Sequence, residues 1–210
     1  TSLLGPDDRK TLISVDNLGT ILMRHGRPED AEMYMRRANE GFRRTLGEDD
    51  PDTCASYQNL AELMRKLRRY PEAQEFARRA AEGRARVLGM DDRFTLYSIN
   101  TRGRILMDQG NAADAEPFLR QSLEGIRRVS LPGETFAAGW GAIYARCLTA
   151  LSRFDEAQST LRACEANLDA ATGDTASLRK AVSEAYVALY TAWNRPEDAA
   201  AWRARILPAK

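Results

Sequence analysis

The sequence predicts an all-α fold, an α-solenoid of about five stacked helical hairpins, and two recurring patterns support this prediction. An alanine preceded by an acidic residue returns every 42 positions, at Ala31, Ala73, Ala115, Ala157 and Ala199. A second small residue keeps the same period, at Gly19, Ala61, Gly103 and Ala145. Apolar residues around both positions recur with the spacing of amphipathic helices. A fixed period of this length is typical of repeat architectures in which each unit buries its apolar face against its neighbours.

The first two hairpins are the most regular. The first is predicted to begin at Asp8, whose carboxylate can cap a helix start, and its first helix to extend to near Arg24. The turn follows at residues 26–28, and the second helix carries one apolar face, made of Ala31, Tyr34, Met35, Ala38 and Phe42. In the second hairpin Pro51 suits the first turn of a helix, where its missing N–H costs nothing.

The later hairpins depart from the pattern. The third places Arg102 where the first two have leucine, which the sequence alone does not explain. The fourth has the turn signal Pro132-Gly133 in place of the acidic boundary, followed by Gly139-Trp140-Gly141. The fifth has Trp202 at an expected core position, and its second helix is predicted to end early at Leu207-Pro208, as suits a capping unit.

Three motifs of the second hairpin carry a family resemblance: Leu46-Gly47 with Asp49-Asp50 and Pro51, then Asn59-Leu60-Ala61, then residues 69–73 with the sequence Arg-Tyr-Pro-Glu-Ala. They resemble tetratricopeptide repeats, in the 42-residue form of kinesin light chains and their bacterial relatives. The resemblance implies a right-handed solenoid forming a single domain over residues 1–210. Its repeats would be 4–45, 46–87, 88–129, 130–171, which is degenerate, and 172–210, which caps the stack.

The same resemblance places the residues around the small position on a concave groove. Asparagine can both donate to and accept from a peptide backbone, and arginine can bind a carboxylate with two hydrogen bonds. We therefore predict a protein-interaction module that binds a peptide or partner segment; the alternative is that these side chains are only a solvated face. The predicted groove residues are Asp16, Asn17, Thr20, Arg24, Gln58, Asn59, Glu62, Arg65, Lys66, Tyr97, Asn100, Thr101, Arg104, Asp108 and Arg146.

Composition argues against several other functions. The 31 basic and 30 acidic residues give a net charge of +1, so neither nucleic acid nor an anionic membrane is an expected partner. No apolar run reaches the ~20 residues that span a bilayer, and no signal peptide is visible, so a cytoplasmic location is predicted. Arginine and alanine are abundant, which hints at a bacterial source. The three cysteines lack metal or disulfide spacing and are predicted to be reduced core thiols.

Nothing in the sequence predicts catalysis. Phosphate-binding glycine loops, zinc-binding histidine pairs, nucleophile elbows and kinase signatures are missing from it. His25, the one histidine, is expected at a solvent-facing helix end. Acid pairs such as Asp49-Asp50 fit helix N-termini better than a metal site. Trp140 is expected in the core, with a ligand-facing role as the alternative. The prediction is therefore not an enzyme, with no metal and no cofactor.

A second hypothesis is a regulatory or self-associating segment of a larger signalling enzyme. Residues 190–203 resemble the closing segment of tetratricopeptide regions attached to bacterial serine/threonine protein kinases. The chain opens on Thr1, with the repeat already in phase, which is expected of a piece of a longer protein. A homo-oligomer is possible under this hypothesis.

Overall fold

The computed structural model describes residues 5–206, and this part of the chain contains ten α-helices and no strand. The helices are α1 Arg9–Arg24, α2 Pro28–Leu46, α3 Pro51–Lys66, α4 Tyr70–Leu88, α5 Arg93–Asp108, α6 Ala112–Val129, α7 Phe136–Ala150, α8 Phe154–Asp169, α9 Ala176–Ala192 and α10 Pro196–Ile206. The all-α prediction is confirmed. The predicted boundary at Leu4 and the predicted helix end at Leu207 and Pro208 lie outside the described residues.

The helices keep the 42-residue period. The even-numbered helices begin at residues 28, 70, 112, 154 and 196, so their starts never leave the register. Among the odd-numbered helices, α1, α3 and α5 begin at residues 9, 51 and 93, whereas α7 begins one position late and α9 one position early. The shift at α7 follows a change of cap, because Thr135 makes no side-chain hydrogen bond to the helix start.

Aspartates cap the first three odd-numbered helices. The side chain of Asp8 accepts from the Lys10 amide at 2.9 Å, that of Asp50 from the Asp52 amide at 2.8 Å, and that of Asp92 from the Phe94 amide at 2.8 Å. Each bond satisfies one of the amides that a helix start leaves without an intrahelical partner. This explains the second aspartate of each recurring acid pair. Within residues 5–206 no cluster of three potential metal ligands is found.

Small residues let paired helices approach closely. A Cβ added to Gly19 would lie 2.5 Å from Cγ of Met35, so a larger residue would require the Met35 side chain or α2 itself to shift. The period also contains a glycine that the sequence analysis did not single out, at positions 41, 83 and 125 of α2, α4 and α6. A Cβ at Gly83 would lie 2.6 Å from Sγ of Cys54.

The chain forms two compact units, Thr1–Gln109 and Gly110–Lys210, which we name unit 1 and unit 2. Unit 1 holds α1 to α5, and in its core Ala31 and Met35 of α2 pack against Leu60, Leu63 and Met64 of α3. Unit 2 holds α6 to α10, in which each helix packs against the next and α7 also packs against α9. The single domain over residues 1–210 and its exact repeat bounds stay a prediction.

Aromatic stacking organises the last hairpin. Trp202 is half-buried, and its ring lies 3.9 Å from that of Tyr186, nearly parallel to it. The guanidinium of Arg205 covers the same tryptophan at 4.0 Å from the ring centre. Trp202 therefore belongs to the packed interior of the α9–α10 pair, although it is only partly buried there.

No helix in the described part of the chain combines the length and apolarity needed to cross a bilayer.

Cys54, Cys147 and Cys164 are buried and form no disulfide. Burial raises the pKa of all three thiols, and the pKa of Cys147 and of Cys164 rises to about 11. Because the thiolate is the reactive form, a raised pKa and a buried sulfur both slow its chemistry.

We expect all three thiols to resist an aromatic disulfide reagent at pH 8. For Cys147 and Cys164, a pKa near 11 lowers the thiolate fraction by about 100-fold relative to an ordinary cysteine. For Cys54, burial of the sulfur restricts access of the reagent. Absorbance should show at least ~100-fold slower release of the chromophore from the native chain than from the same chain in urea, where three equivalents should react. Rapid reaction of one thiol in the native chain would contradict its burial.

Candidate functional site

The predicted groove residues of unit 1 lie on α1, α3 and α5, which are neighbours in the structure. Their exposure differs widely. Four are buried: Asp16, Gln58, Asn100 and Thr101. Six are half-buried: Thr20, Asn59, Glu62, Arg65, Tyr97 and Arg104. The remaining four of unit 1 are exposed: Asn17, Arg24, Lys66 and Asp108.

Many of these side chains bind one another across adjacent helices. Nδ2 of Asn59 donates to Oδ2 of Asp16 at 2.6 Å, and Nε2 of Gln58 donates to Oγ1 of Thr101 at 2.9 Å. Both pairs are 43 residues apart in sequence. That spacing is one repeat plus one residue, so each pair joins neighbouring helices at almost equivalent positions. The predicted asparagine and glutamine are therefore engaged within the protein.

Glu62 is the acceptor around which this polar network is arranged. Oε1 of Glu62 accepts from Nη1 of Arg104 at 2.7 Å, and Oε2 accepts from Nη2 of Arg65 at 3.0 Å. Arg65 also donates from Nη1 to Oδ2 of Asp108 at 2.6 Å. The hydroxyl of Tyr97 lies 3.4 Å from Oε1 of Glu62. We name Glu62, Arg65, Tyr97, Arg104 and Asp108 the Glu62 network.

Burial shifts the protonation of two groups on this face. Burial raises the pKa of Asp16, while the hydrogen bond from Asn59 acts in the opposite direction. Burial also raises the pKa of Tyr97, and the neighbouring Glu62 charge adds to the effect. Both directions agree with side chains that are packed between helices.

Unit 2 contains an apolar pocket between α7 and α9. Its volume is about 690 Å³. The two helices come close because α7 carries small residues at their contact, and a Cβ at Gly139 would lie 3.3 Å from Cδ2 of Leu178. Trp140 is 8% exposed and Phe136 is 48% exposed. The lining residues are Thr135, Phe136, Gly139, Trp140, Ala142, Ile143, Arg146, Leu178, Ala181, Glu184 and Ala188.

Two exposed charged side chains lie at this pocket, Arg146 on α7 and Glu184 on α9. Within residues 5–206 neither side chain has a hydrogen-bonding or ion-pairing partner. The pocket thus combines apolar walls with one positive and one negative group, both available to a ligand. Sites that bind small molecules commonly have this composition, with mainly apolar walls and a few polar groups.

The sequence analysis identified only part of this pocket. It assigned Arg146 to the groove, and it placed Trp140 in the core with a ligand-facing role as the alternative. The structure shows Trp140 both buried and lining the pocket. The residues of α9 were missed. A signal was present in the small residues at 137–139, 141 and 142, on either side of Trp140, since small residues allow another helix to approach α7.

Comparison with protein-family models gives two matches, both described as tetratricopeptide repeat, at residues 3–86 and 95–132. Together they cover more than half of the chain. No curated protein sequence matches it significantly.

Several solved structures share the fold at low sequence identity. One is a putative kinesin light chain of Podosopora anserina with nearly identical TPR-like repeats, at 20% identity and TM-score 0.81, with 97% of this chain and 95% of that chain covered. Another is BtubC (BKLC) from P. vanneervenii, at 21% identity and TM-score 0.76, with 94% and 79% covered. A third is a Rap protein complexed with competence and sporulation factor, at 15% identity and TM-score 0.71, with 90% and 50% covered.

Proposed function

The chain belongs to the tetratricopeptide-repeat family, and on that premise we propose that it is a protein-interaction module that captures a peptide or partner segment. Repeat proteins of this kind bind partners on extended surfaces formed by successive units. The Rap protein with the same fold is described in complex with competence and sporulation factor, which supports an interaction role for this chain. The resemblance of residues 190–203 to kinase-attached regions stays a prediction, as do the cytoplasmic location and the bacterial source.

The observation that carries the proposal is the pocket between α7 and α9. Its walls are mostly apolar, it has a volume of about 690 Å³, and it is open enough that Phe136 and Ala188 in its wall are exposed. An apolar surface left open to water is unfavourable, and a ligand that covers it recovers roughly 25 cal/mol per Å². The pocket is therefore the strongest anchoring point for a partner within unit 2.

The chemistry of the pocket defines the class of segment that fits. A large apolar side chain of the partner would lie against Trp140, Ile143 and Leu178. An acidic group next to that anchor would pair with Arg146, whose guanidinium offers two parallel hydrogen bonds. A basic side chain or a backbone N–H of the partner, on the other side of the anchor, would donate a hydrogen bond to the carboxylate of Glu184. The expected ligand is thus a peptide segment with an apolar anchor and an acidic neighbour.

The polar face of unit 1 is a second part of the same proposal. Asn17, Arg24 and Lys66 are exposed there, and a partner segment could contact them directly. Three other side chains of this face already form hydrogen bonds within the protein: Asn59, Arg65 and Arg104. A partner segment could bind them only by replacing those intramolecular bonds. We therefore assign the larger share of affinity to the pocket of unit 2.

We expect peptides selected from a random display library on the whole chain to share the apolar anchor and the acidic neighbour. Ala188→Trp should fill the pocket from an exposed position and weaken such peptides by about 10- to 150-fold, since burying one large apolar side chain contributes ~1.5–3 kcal/mol. Arg146→Glu should weaken them by roughly 10-fold through repulsion of the acidic group. Fluorescence anisotropy of labelled peptides measures both effects.

Two matched controls separate the pocket from general surface effects. Ala200→Trp adds the same ring at an exposed position of α10, and Arg37→Glu reverses an exposed charge on α2. Neither should change the dissociation constant by more than about 2-fold. Equal weakening by pocket and control variants, or a selection that yields no binding peptide, would rule out peptide capture at this pocket.

A further inference from the structure

The first hairpin exposes apolar side chains that the second hairpin buries. Leu18 and Ile21 of α1 are 41% and 52% exposed, whereas Leu60 and Leu63, their equivalents 42 residues later, are 1% and 0% exposed. Met33 of α2 adds a side chain that is 66% exposed. Leu18 and Met33 border a depression of about 450 Å³, whose lining also includes Leu22, Arg27, Glu29, Asp30 and Tyr34. We name Leu18, Ile21, Arg27, Asp30 and Met33 the open face.

The structure shows what covers the equivalent surface one repeat later. Leu60 and Leu63 pack against Ala31 and Met35 of α2, so the covering helix presents an alanine and a methionine one turn apart. Asn39, four residues after Met35, donates from Nδ2 to Oγ of Ser56 on α3 at 2.8 Å, so this side of α2 faces α3. A helix with this pattern lets its backbone approach closely while the methionine fills the remaining space.

Ion pairs complete that interface and recur in unit 2. Nη1 of Arg69 donates to both carboxylate oxygens of Glu32, at 2.7 and 2.9 Å, and thus reaches from the second hairpin back to the first. The equivalent residues of unit 2 form the same contact, between Arg153 and Glu116 at 3.1 Å. A bond in the opposite direction joins Nη2 of Arg36 to Glu72.

The open face carries the matching charges without a partner hairpin. Arg27 is equivalent to Arg69, and Asp30 is equivalent to Glu72. In the described part of the chain Arg27 and Asp30 pair with each other at 2.6 Å, and their side chains are 61% and 52% exposed. A docked helix with a glutamate and an arginine four residues apart, like Glu32 and Arg36, would form both ion pairs. Its glutamate would pair with Arg27, and its arginine would pair with Asp30.

We propose that the open face docks a further helical hairpin of this repeat type, whose second helix presents alanine, glutamate, methionine and arginine in the order of Ala31, Glu32, Met35 and Arg36. The occupant stacks in the same order as the hairpins of unit 1. This inference is independent of the pocket in unit 2, since it concerns different helices and a different class of contact.

A second copy of this chain does not supply that helix through its last hairpin. The residue of α10 equivalent to Glu32 is Ala200, and the residue equivalent to Met35 is Arg203. An arginine would then face Leu18 and Ile21, and Arg27 would find no carboxylate. The occupant is therefore a hairpin with an α2-like second helix, and an α10-like helix does not fit.

The test adds such a hairpin in register. A copy of residues 5–46 is placed directly before Gly5 of the full chain, so that its Leu46 is followed by Gly5 as the native Leu46 is followed by Gly47. The reporter is Ile21→Cys in the original hairpin, whose reaction with N-ethylmaleimide is followed by peptide mass spectrometry. We expect the added hairpin to slow alkylation of the new thiol by at least ~10-fold, since it becomes buried like Leu63.

The control extension carries Glu32→Ala and Met35→Arg in the added copy, which reproduces the side chains of α10. It should leave the alkylation rate within about 2-fold of that in the chain without an extension. Unchanged alkylation with the matching extension, whether or not circular dichroism shows added helix, would overturn the proposal. Sedimentation of the unextended chain should show a monomer; a dimer that protects the new thiol would overturn the choice of occupant.

Discussion

Leu63→Ala is expected to lower the free energy of unfolding by about 2–5 kcal/mol, whereas Ile21→Ala should lower it by no more than about 0.5 kcal/mol. The two residues are equivalent, 42 positions apart on α3 and α1. They differ in that Leu63 is fully buried against α2 and Ile21 is 52% exposed. Removing the Leu63 side chain therefore leaves a cavity between hairpins, and removing that of Ile21 leaves none.

Urea denaturation followed by circular dichroism and by tryptophan fluorescence measures both changes. Leu60→Ala, one helical turn away and equally buried, should fall in the range of Leu63→Ala and so serves as a positive control. A loss for Ile21→Ala as large as that for Leu63→Ala would mean that something covers the first hairpin in solution. A small loss for Leu63→Ala would contradict the packing of α2 on α3.

Glu62→Ala is expected to lower the free energy of unfolding by about 2–3 kcal/mol, because hydrogen bonds to charged groups contribute about 1.5–3 kcal/mol. The Glu62 side chain is 14% exposed, and those of Arg65 and Arg104 are 19% and 25% exposed, so solvent screens these charges only in part. Without Glu62, Arg104 loses its carboxylate partner and Arg65 retains only Asp108.

Two further variants make this second prediction specific. Glu62→Gln keeps the shape and one acceptor oxygen, and should lose about half as much stability. Glu40→Ala removes an exposed glutamate of α2 that has no partner in residues 5–206, and should change stability by less than about 0.5 kcal/mol. Equal effects of Glu62→Ala and Glu40→Ala would show that the Glu62 network does not hold α3 and α5 together.

The repeat register was predictable because it depends on local rules. The position of Pro51 at the first turn of α3, the caps at Asp8 and Asp50, and the buried Gly19 all follow from residue type and spacing alone. Each of these features depends only on residues a few positions away in the sequence, or on one contact within a hairpin. The same local features recur every 42 residues, so the register of the whole chain can be predicted from them.

The partners of the polar residues were less predictable. Asp16 and Asn59 both suggest a binding surface by residue type, yet they bind each other because neighbouring helices are displaced by one residue relative to the repeat. That displacement is a property of helix packing and leaves no mark in the period. Arg102 shows the same limit: it occupies the position of Leu60, lies half-buried, and burial lowers its pKa.

The pocket between α7 and α9 could be inferred only in part from the sequence. The small residues on either side of Trp140 in α7 predict close helix contact, but the volume of the pocket beside them depends on where the side chains of Leu178 and Trp140 come to lie. Distances of a few ångströms decide whether a tryptophan fills a core or lines an open pocket. Such distances follow from the packing of several helices together.

The most direct test of peptide capture is a crystal structure of the whole chain with a peptide selected from the display library. The proposal predicts an apolar side chain of the peptide between α7 and α9, in contact with Trp140 and Leu178, and a carboxylate within hydrogen-bonding distance of Arg146. A peptide bound elsewhere on the chain, with the α7–α9 pocket empty, would contradict it.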